Sequence, residues 1–132
     1  MTDDFTDALE TYVRAVMGKK AENLIVLDVR NLTSVADAFI VCSGRSNRQV
    51  QAIAEHIQAE LKKRHKKPLS VEGLAEGHWA LLDYGDVIIH IFYEPVRLFY
   101  DLEGLWMDAA RINTDGLISA LPPPAATEKF NE

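Results

Sequence analysis

The chain has 132 residues, of which 48% are hydrophobic, and its formal net charge is −6. This length fits one domain with its own hydrophobic core. Its single cysteine, Cys42, excludes an intramolecular disulfide; with no apolar run of about 20 residues and no basic amino-terminal leader, we expect a cytoplasmic protein that spans no membrane. The acidic balance repels phosphate backbones, which argues against general nucleic-acid binding and suits a basic partner protein.

The first predicted elements are a helix and two strands. Apolar residues recur at helical spacing from Phe5 to Val16 and predict the helix. Residues 24–27 and 38–42 are short apolar runs rich in β-branched side chains, without alternation. Such runs predict strands that are covered on both faces, and hence helices that pack on a sheet.

The second helix has the clearest start and end in the sequence. Ser46 and Gln49 have the S-x-x-Q spacing of a capping box, in which each side chain satisfies a backbone N–H near the other. Pro68 closes the segment. One apolar stripe follows the cap and predicts the buried face: Val50, Ile53, Ala54, Ile57 and Leu61.

The next predicted elements are strands. Residues 69–72 are compatible with a short strand. Two apolar runs, residues 79–82 and 87–92, flank the polar turn at 83–86. That arrangement predicts a β-hairpin.

The carboxyl-terminal part of the chain is less regular. From Pro95 onward the pattern is irregular or helical, and after Arg111 the apolar rhythm ends before three prolines at 122–124. We therefore expect one domain over residues 1–111 and a mobile, Pro-containing tail over 112–132. The order of elements predicts an α/β fold: a single domain with a mixed β-sheet and helices packed on it.

The sequence gives little support for catalysis. Residues 43–46 join a strand to a helix and could hold a phosphate, but without a GxxxxGK[ST] or GxGxxG motif a turn and a helix cap are favoured. Metal-dependent nucleotidyl transfer needs closely spaced carboxylates. The only Asp-x-Asp/Glu pair, Asp101 and Glu103, lies outside the predicted strands. The histidines and Cys42 lack metal-ligand spacing, and His90 is expected to be a hydrogen-bonded core residue. We expect a protein that is not an enzyme and has no cofactor or metal.

Residues 62–67 form a basic run, KKRHKK. The run falls at the predicted end of the second helix, where cations complement the helix dipole. We favour this role over RNA binding and expect at most a minor phosphate contact.

The segment from Phe92 to Trp106 holds five of the eleven aromatic residues of the chain, interspersed with charged residues. Phe92 and Leu98 are expected to cover the sheet. Burying every other large side chain of this segment is difficult in so small a domain. Aromatic rings beside charges are typical of binding hot spots, so some of them should contact a partner, either a second copy or another protein.

Five stretches follow one another between Phe5 and Arg111 and share one resemblance. They are ADAFIVCSGRS (36–46), RQVQAIA (48–54), EG (72–73), WALLDYGDVIIHIF (79–92) and RLFYDLEGLW (97–106). Together they resemble the ribosomal silencing factor family, also called the Iojap-like family. The resemblance implies a nucleotidyltransferase-like fold that lacks the catalytic carboxylates, and a homodimer when the protein is free.

The resemblance also implies a function. Members bind the large ribosomal subunit through ribosomal protein fourteen of the L series, block small-subunit joining and lower translation in starvation. From the acidic charge of this chain we expect little or no direct nucleic-acid contact. Two alternatives stay open: a large-subunit assembly factor, and a nucleotidyltransferase-like remnant that binds a nucleotide at residues 43–46. The docking surface implied for this chain consists of Trp79 and residues 97–106, with these candidate contacts: Trp79, Arg97, Phe99, Tyr100, Asp101, Leu102, Glu103 and Trp106.

Overall fold

A computed structural model describes residues 4–114 of the chain. Within that range the elements are α1 (Asp4–Met17), β1 (Glu22–Asp28), β2 (Ala38–Gly44), α2 (Asn47–Lys63), β3 (Ser70–Glu72), β4 (Trp79–Asp83), β5 (Val87–Tyr93), α3 (Glu94–Tyr100), α4 (Leu102–Leu105) and β6 (Ala110–Arg111). The predicted helices, strands and hairpin are confirmed. The two-residue β6 was not predicted, because so short a strand carries no pattern of its own.

The strands form one mixed sheet in the order β3-β4-β5-β2-β1-β6. Strands β2 and β5 pair in parallel, whereas their neighbours on both sides pair antiparallel. The predicted single-domain α/β fold with a mixed sheet is therefore confirmed. None of the helices within residues 4–114 is long and apolar enough to cross a bilayer.

Helices α1 and α2 cover the first face of the sheet. The predicted apolar stripe of α2 is completely buried against it. At the start of α2, Ser46 Oγ accepts a hydrogen bond from the Gln49 backbone N–H at 3.0 Å, and Gln49 Oε1 accepts one from the Arg45 backbone N–H at 2.6 Å. The predicted capping box is thus present, and it fixes where α2 begins.

The two inner strands differ in how well they are covered. Every residue of β2 is buried, as predicted. In β1 only Val26 and Leu27 are buried, while Asn23 is exposed and interrupts the pairing with a φ of 53°. The prediction of a strand covered on both faces is therefore wrong for Leu24 and Ile25, which are only half-buried.

The described chain continues past the predicted domain boundary at Arg111. The Ile112 backbone N–H donates to the Val26 carbonyl at 2.9 Å, and the Ile112 side chain packs on the hydrophobic core between the sheet and helices α1 and α2. Residues 115–132 of the predicted tail lie outside the described residues.

Candidate docking surface

Helices α3 and α4 meet in an elbow at Asp101. Asp101 has a left-handed backbone, φ 48° and ψ 55°, which side chains other than glycine and asparagine or aspartate rarely adopt. Its carboxylate accepts a hydrogen bond from the Gly104 backbone N–H at 3.2 Å and so caps α4. A methyl group at Gly104 would meet the same carboxylate, so this close approach favours glycine at position 104.

The elbow exposes an unusual amount of apolar side chain. Phe99 is 82% exposed and Tyr100 is 51% exposed, and their rings contact each other edge to face at 5.2 Å. Soluble monomers rarely expose large apolar patches that have no binding role. The other large apolar side chains exposed on this segment are Leu98, Leu105 and Met107.

A groove of about 510 Å³ lies between α3 and the loop before β4. The Trp79 ring forms part of its lining, stacks on Phe92 at 4.7 Å and contacts Tyr100 at 5.1 Å. The groove therefore brings together three of the predicted contact residues, Trp79, Phe99 and Tyr100. Its remaining lining residues are Glu76, His78, Pro95 and Val96.

Trp79 is tied to the core by His90. The indole Nε1–H donates a hydrogen bond to His90 Nδ1 at 3.1 Å. Burial lowers the pKa of His90 to about 4, so the imidazole is neutral at pH 7. The prediction that His90 is a hydrogen-bonded core residue is confirmed.

Arg97 and Leu102 are buried under the docking surface, with exposures of 5% and 7%. The Arg97 guanidinium donates to Ser43 Oγ at 2.8 Å and, from Nε and Nη2, to Glu103 Oε2 at 3.2 and 3.0 Å. A buried cation has to be paired, and these acceptors pair it inside the protein. Neither Arg97 nor Leu102 offers contact area in this structure; both support the elbow from below.

The remaining predicted residues line a second cavity, of about 340 Å³, on the other side of the elbow. Trp106 is half-buried there, with its ring edge to face with Phe39 at 5.0 Å, so it belongs in part to the hydrophobic core on the second face of the sheet. Asp101 and Glu103 line the same cavity. The structure thus places the predicted residues around one elbow, with an aromatic groove on one side and, on the other, a cavity lined by Asp101, Glu103 and Arg111 among others.

Sequence reasoning missed the exposure of Leu98, which is 73% exposed and does not cover the sheet as expected. Phe92, by contrast, is completely buried, as predicted. One signal was present: Leu98, Phe99 and Tyr100 are consecutive on a helix, and consecutive helical residues point in different directions. Three large side chains in a row on a short helix therefore cannot all face the sheet.

The strand-to-helix segment 43–46 is occupied by structural contacts. Ser43 is completely buried and accepts from Arg97, while Ser46 caps α2. A methyl group at Gly44 would lie 3.1 Å from the Val50 backbone nitrogen, so the turn itself is tight. Within residues 4–114 no three His, Cys, Asp or Glu side chains are grouped as metal ligands would be.

The basic run lies far from the docking surface. Helix α2 starts where β2 ends and returns over the first face, whereas α3 starts where the parallel strand β5 ends and packs on the second face. The end of α2 is therefore at the opposite end and on the opposite face. Its last carbonyls are satisfied by backbone N–H groups of Arg64, His65 and Lys66.

The chain was compared with known proteins. The family model described as "Ribosomal silencing factor during starvation" matches residues 2–132. The ribosomal silencing factor of Halalkalibacterium halodurans is 37% identical over 113 residues, which cover 86% of this chain and 97% of that protein. The corresponding factor of Bacillus subtilis is 40% identical over 97 residues, covering 74% of this chain and 82% of that one. The chloroplastic protein Iojap of Zea mays is 34% identical over 113 residues, covering 83% of this chain and 49% of Iojap.

Two solved structures share the fold. A crystal structure of a Bacillus halodurans protein superposes with a TM-score of 0.73 at 33% identity, covering 82% of this chain and 98% of that one. A crystal structure of a Chromobacterium violaceum protein gives a TM-score of 0.71 at 33% identity, covering 96% of this chain and 93% of that one.

Proposed function

Because this chain belongs to the ribosomal silencing factor family, we propose that it represses translation by docking on the large ribosomal subunit. The contact is made with ribosomal protein fourteen of the L series, and the bound protein blocks small-subunit joining when nutrients are scarce. The mechanism is steric exclusion in the cytoplasm, without catalysis or a cofactor. An interface of ordinary size, ~1,200–2,000 Å² in total, is enough for it.

The exposed aromatic elbow is the observation that carries this proposal. Phe99 and Tyr100 project from α3, and the Trp79 ring lies beside them in the groove. Large rings that become desolvated at the centre of an interface supply most of the binding energy in many complexes. Phe99, Tyr100 and Trp79 are therefore proposed as the apolar anchors.

The charge of the chain complements a basic partner. The net charge is −6, and Asp101 is exposed at the tip of the elbow. Acidic groups beside apolar anchors steer a basic partner toward the surface and reject an acidic one. Glu103 contributes less to this charge, since its carboxylate is already paired with Arg97.

The free protein is proposed to be a homodimer. The apolar elbow is exposed in the single chain, and a second copy would cover such a surface until the ribosome is available.

The fold is further proposed to be nucleotidyltransferase-like, without the catalytic carboxylates. Asp101 and Glu103 support only the second part, the missing catalytic carboxylates, because they serve the elbow and lie on no strand.

The proposal is tested with purified subunits on sucrose gradients. The parent chain should bind large subunits and reduce the fraction of joined ribosomes. Phe99→Ala and Tyr100→Ala should each weaken binding about thirtyfold, since truncating a hot-spot ring costs ~2 kcal/mol. Asp101→Asn keeps the side-chain acceptor and tolerates the left-handed backbone, so its loss of affinity reports on the charge alone.

Val35→Ala is the matched control, because Val35 is apolar and 67% exposed but lies in the loop before β2. It should bind like the parent. Folded Phe99 and Tyr100 variants that bind and block joining as well as the parent would contradict the docking surface. A parent chain that binds but leaves joining unchanged would contradict silencing and favour a role in large-subunit assembly.

A further inference from the structure

Among residues 4–114, His90 is the one histidine whose imidazole is buried in the sheet. Its ring lies on the second face of the sheet, among aromatic side chains. It lies near the middle of β5 and is 5% exposed. Phe39 contacts its ring edge to face at 5.2 Å, and Phe92 lies nearly parallel to it at 6.3 Å. These contacts hold the imidazole in one orientation.

The pairing of β4 with β5 puts His90 next to Trp79. His90 pairs with Leu81, so Trp79, two residues away on the same face, is its diagonal neighbour. This register brings the indole Nε1–H to 3.1 Å from His90 Nδ1. The hydrogen bond therefore follows from the register of the hairpin.

The neutral state of His90 leaves its Nδ1 atom free to accept a hydrogen bond. Because burial keeps the imidazole neutral at pH 7, it carries a single N–H. Nδ1 accepts from Trp79, so the proton is on Nε2, which is buried without a hydrogen-bond partner among the described residues. The neutral ring acts here as a fixed acceptor.

An apolar residue would be the less costly choice for this position. Burying an imidazole with one nitrogen unpaired costs desolvation free energy that a leucine would not. What the imidazole supplies is the acceptor for Trp79, whose ring is half-buried and lines the groove. Without the acceptor, the indole N–H can turn toward water, and the ring would leave the stack on Phe92.

We propose that His90 is the positioning residue of the docking surface, because it fixes the Trp79 indole in the orientation that shapes the groove. Trp79 in turn contacts Tyr100, so the orientation passes from the core to an exposed anchor. This role rests on the proposed docking function. His90 itself contacts no partner.

The test compares His90→Leu with His90→Asn, two side chains of similar size. The Asn oxygen can occupy the place of Nδ1 and accept from Trp79, whereas Leu cannot accept. Tryptophan emission is recorded on the free protein in a Trp106→Phe background, so that Trp79 is the sole tryptophan. Binding to large subunits is measured in chains that keep Trp106.

The Leu variant should show red-shifted Trp79 emission, easier quenching by iodide and binding about five- to tenfold weaker, as expected for one lost hydrogen bond. The Asn variant should keep most of the parent's emission and affinity. Thermal unfolding should rank the two in the opposite order, because the Asn amide has buried N–H groups and Leu has none. A merely structural role cannot give opposite rankings of stability and affinity.

Unchanged emission in the Leu variant would overturn the proposal, and so would an Asn variant that binds no better than Leu. A Leu variant that binds like the parent would also overturn it. If the parent chain does not bind large subunits, the proposed function fails. The emission of the free protein still decides whether His90 orients Trp79.

Discussion

Arg97 carries a charge into the interior and is held there by two acceptors. Its guanidinium is bound to Ser43 at the end of β2 and to Glu103 in α4, so one side chain ties the elbow to the sheet. The other carboxylate oxygen of Glu103 is buried without a hydrogen bond among the described residues. Such a pair adds little net stability but becomes costly when one partner is removed.

Glu103→Leu and Arg97→Met should therefore each lower the free energy of unfolding by about 3–5 kcal/mol, since each leaves a buried group uncompensated. The double change Arg97→Met with Glu103→Leu should recover most of that loss, because no charge is then left buried. Chemical denaturation of the four chains gives the complete double-mutant cycle. Single changes that cost less than about 0.5 kcal/mol would show that the pair is solvated in solution.

At the scale of elements, the end of α2 shows that a basic run can be a structural feature. Lys63 pairs with Glu60 at 2.9 Å, and the Lys66 ammonium lies 5.4 Å from the centre of the Tyr12 ring. Backbone N–H groups satisfy the last helical carbonyls. The run is also on the opposite face and at the opposite end of the sheet from the elbow.

Replacing Lys63 and Lys66 with Gln should leave binding to large subunits within a few-fold of the parent, because neither side chain faces the docking surface. The dependence of log K on log salt should keep its slope. Each phosphate contact that is lost would flatten that slope by about one unit, and such a change would favour RNA binding. Lys19→Gln with Lys20→Gln changes the net charge equally and serves as the control.

At the scale of the whole molecule, Asp37 and Asp83 lie at the turn between β4 and β5. The Asp83 carboxylate accepts from the Gly85 backbone N–H at 2.8 Å in the β4–β5 turn. The Asp37 backbone N–H donates to the Asp86 carbonyl at 2.7 Å, which places Asp37 beside the same turn, with its side chain exposed. These residues close the loops at one end of the sheet.

Incubation with labelled nucleoside triphosphates and Mg²⁺ should therefore give no transfer product, because metal-dependent transfer needs carboxylates that converge on the ions. The assay is run in parallel on Asp37→Ala and Asp83→Ala. Turnover that survives purification and disappears in either variant would make the chain an enzyme. Turnover that is equal in all three preparations would point to a contaminant.

The local elements and much of the docking segment could be predicted from the amino-acid pattern. The cap at Ser46 and Gln49 and the hairpin around residues 83–86 depend on contacts between near neighbours, and the apolar stripe of α2 repeats at helical spacing, so the local pattern predicts all three. The concentration of aromatic residues between positions 92 and 106 likewise predicted which segment carries large exposed apolar side chains.

Which side chains of that segment face outward depends on how the whole chain folds. Arg97 is polar but buried because Ser43, far away in sequence, and Glu103 meet it in the fold; Leu98 is apolar but exposed because α3 is short and lies over part of the sheet. Trp79 depends in the same way on the strand register that brings His90 to it. The burial of these side chains is set by residues distant in the chain, and the local pattern of the segment contains no information about those residues.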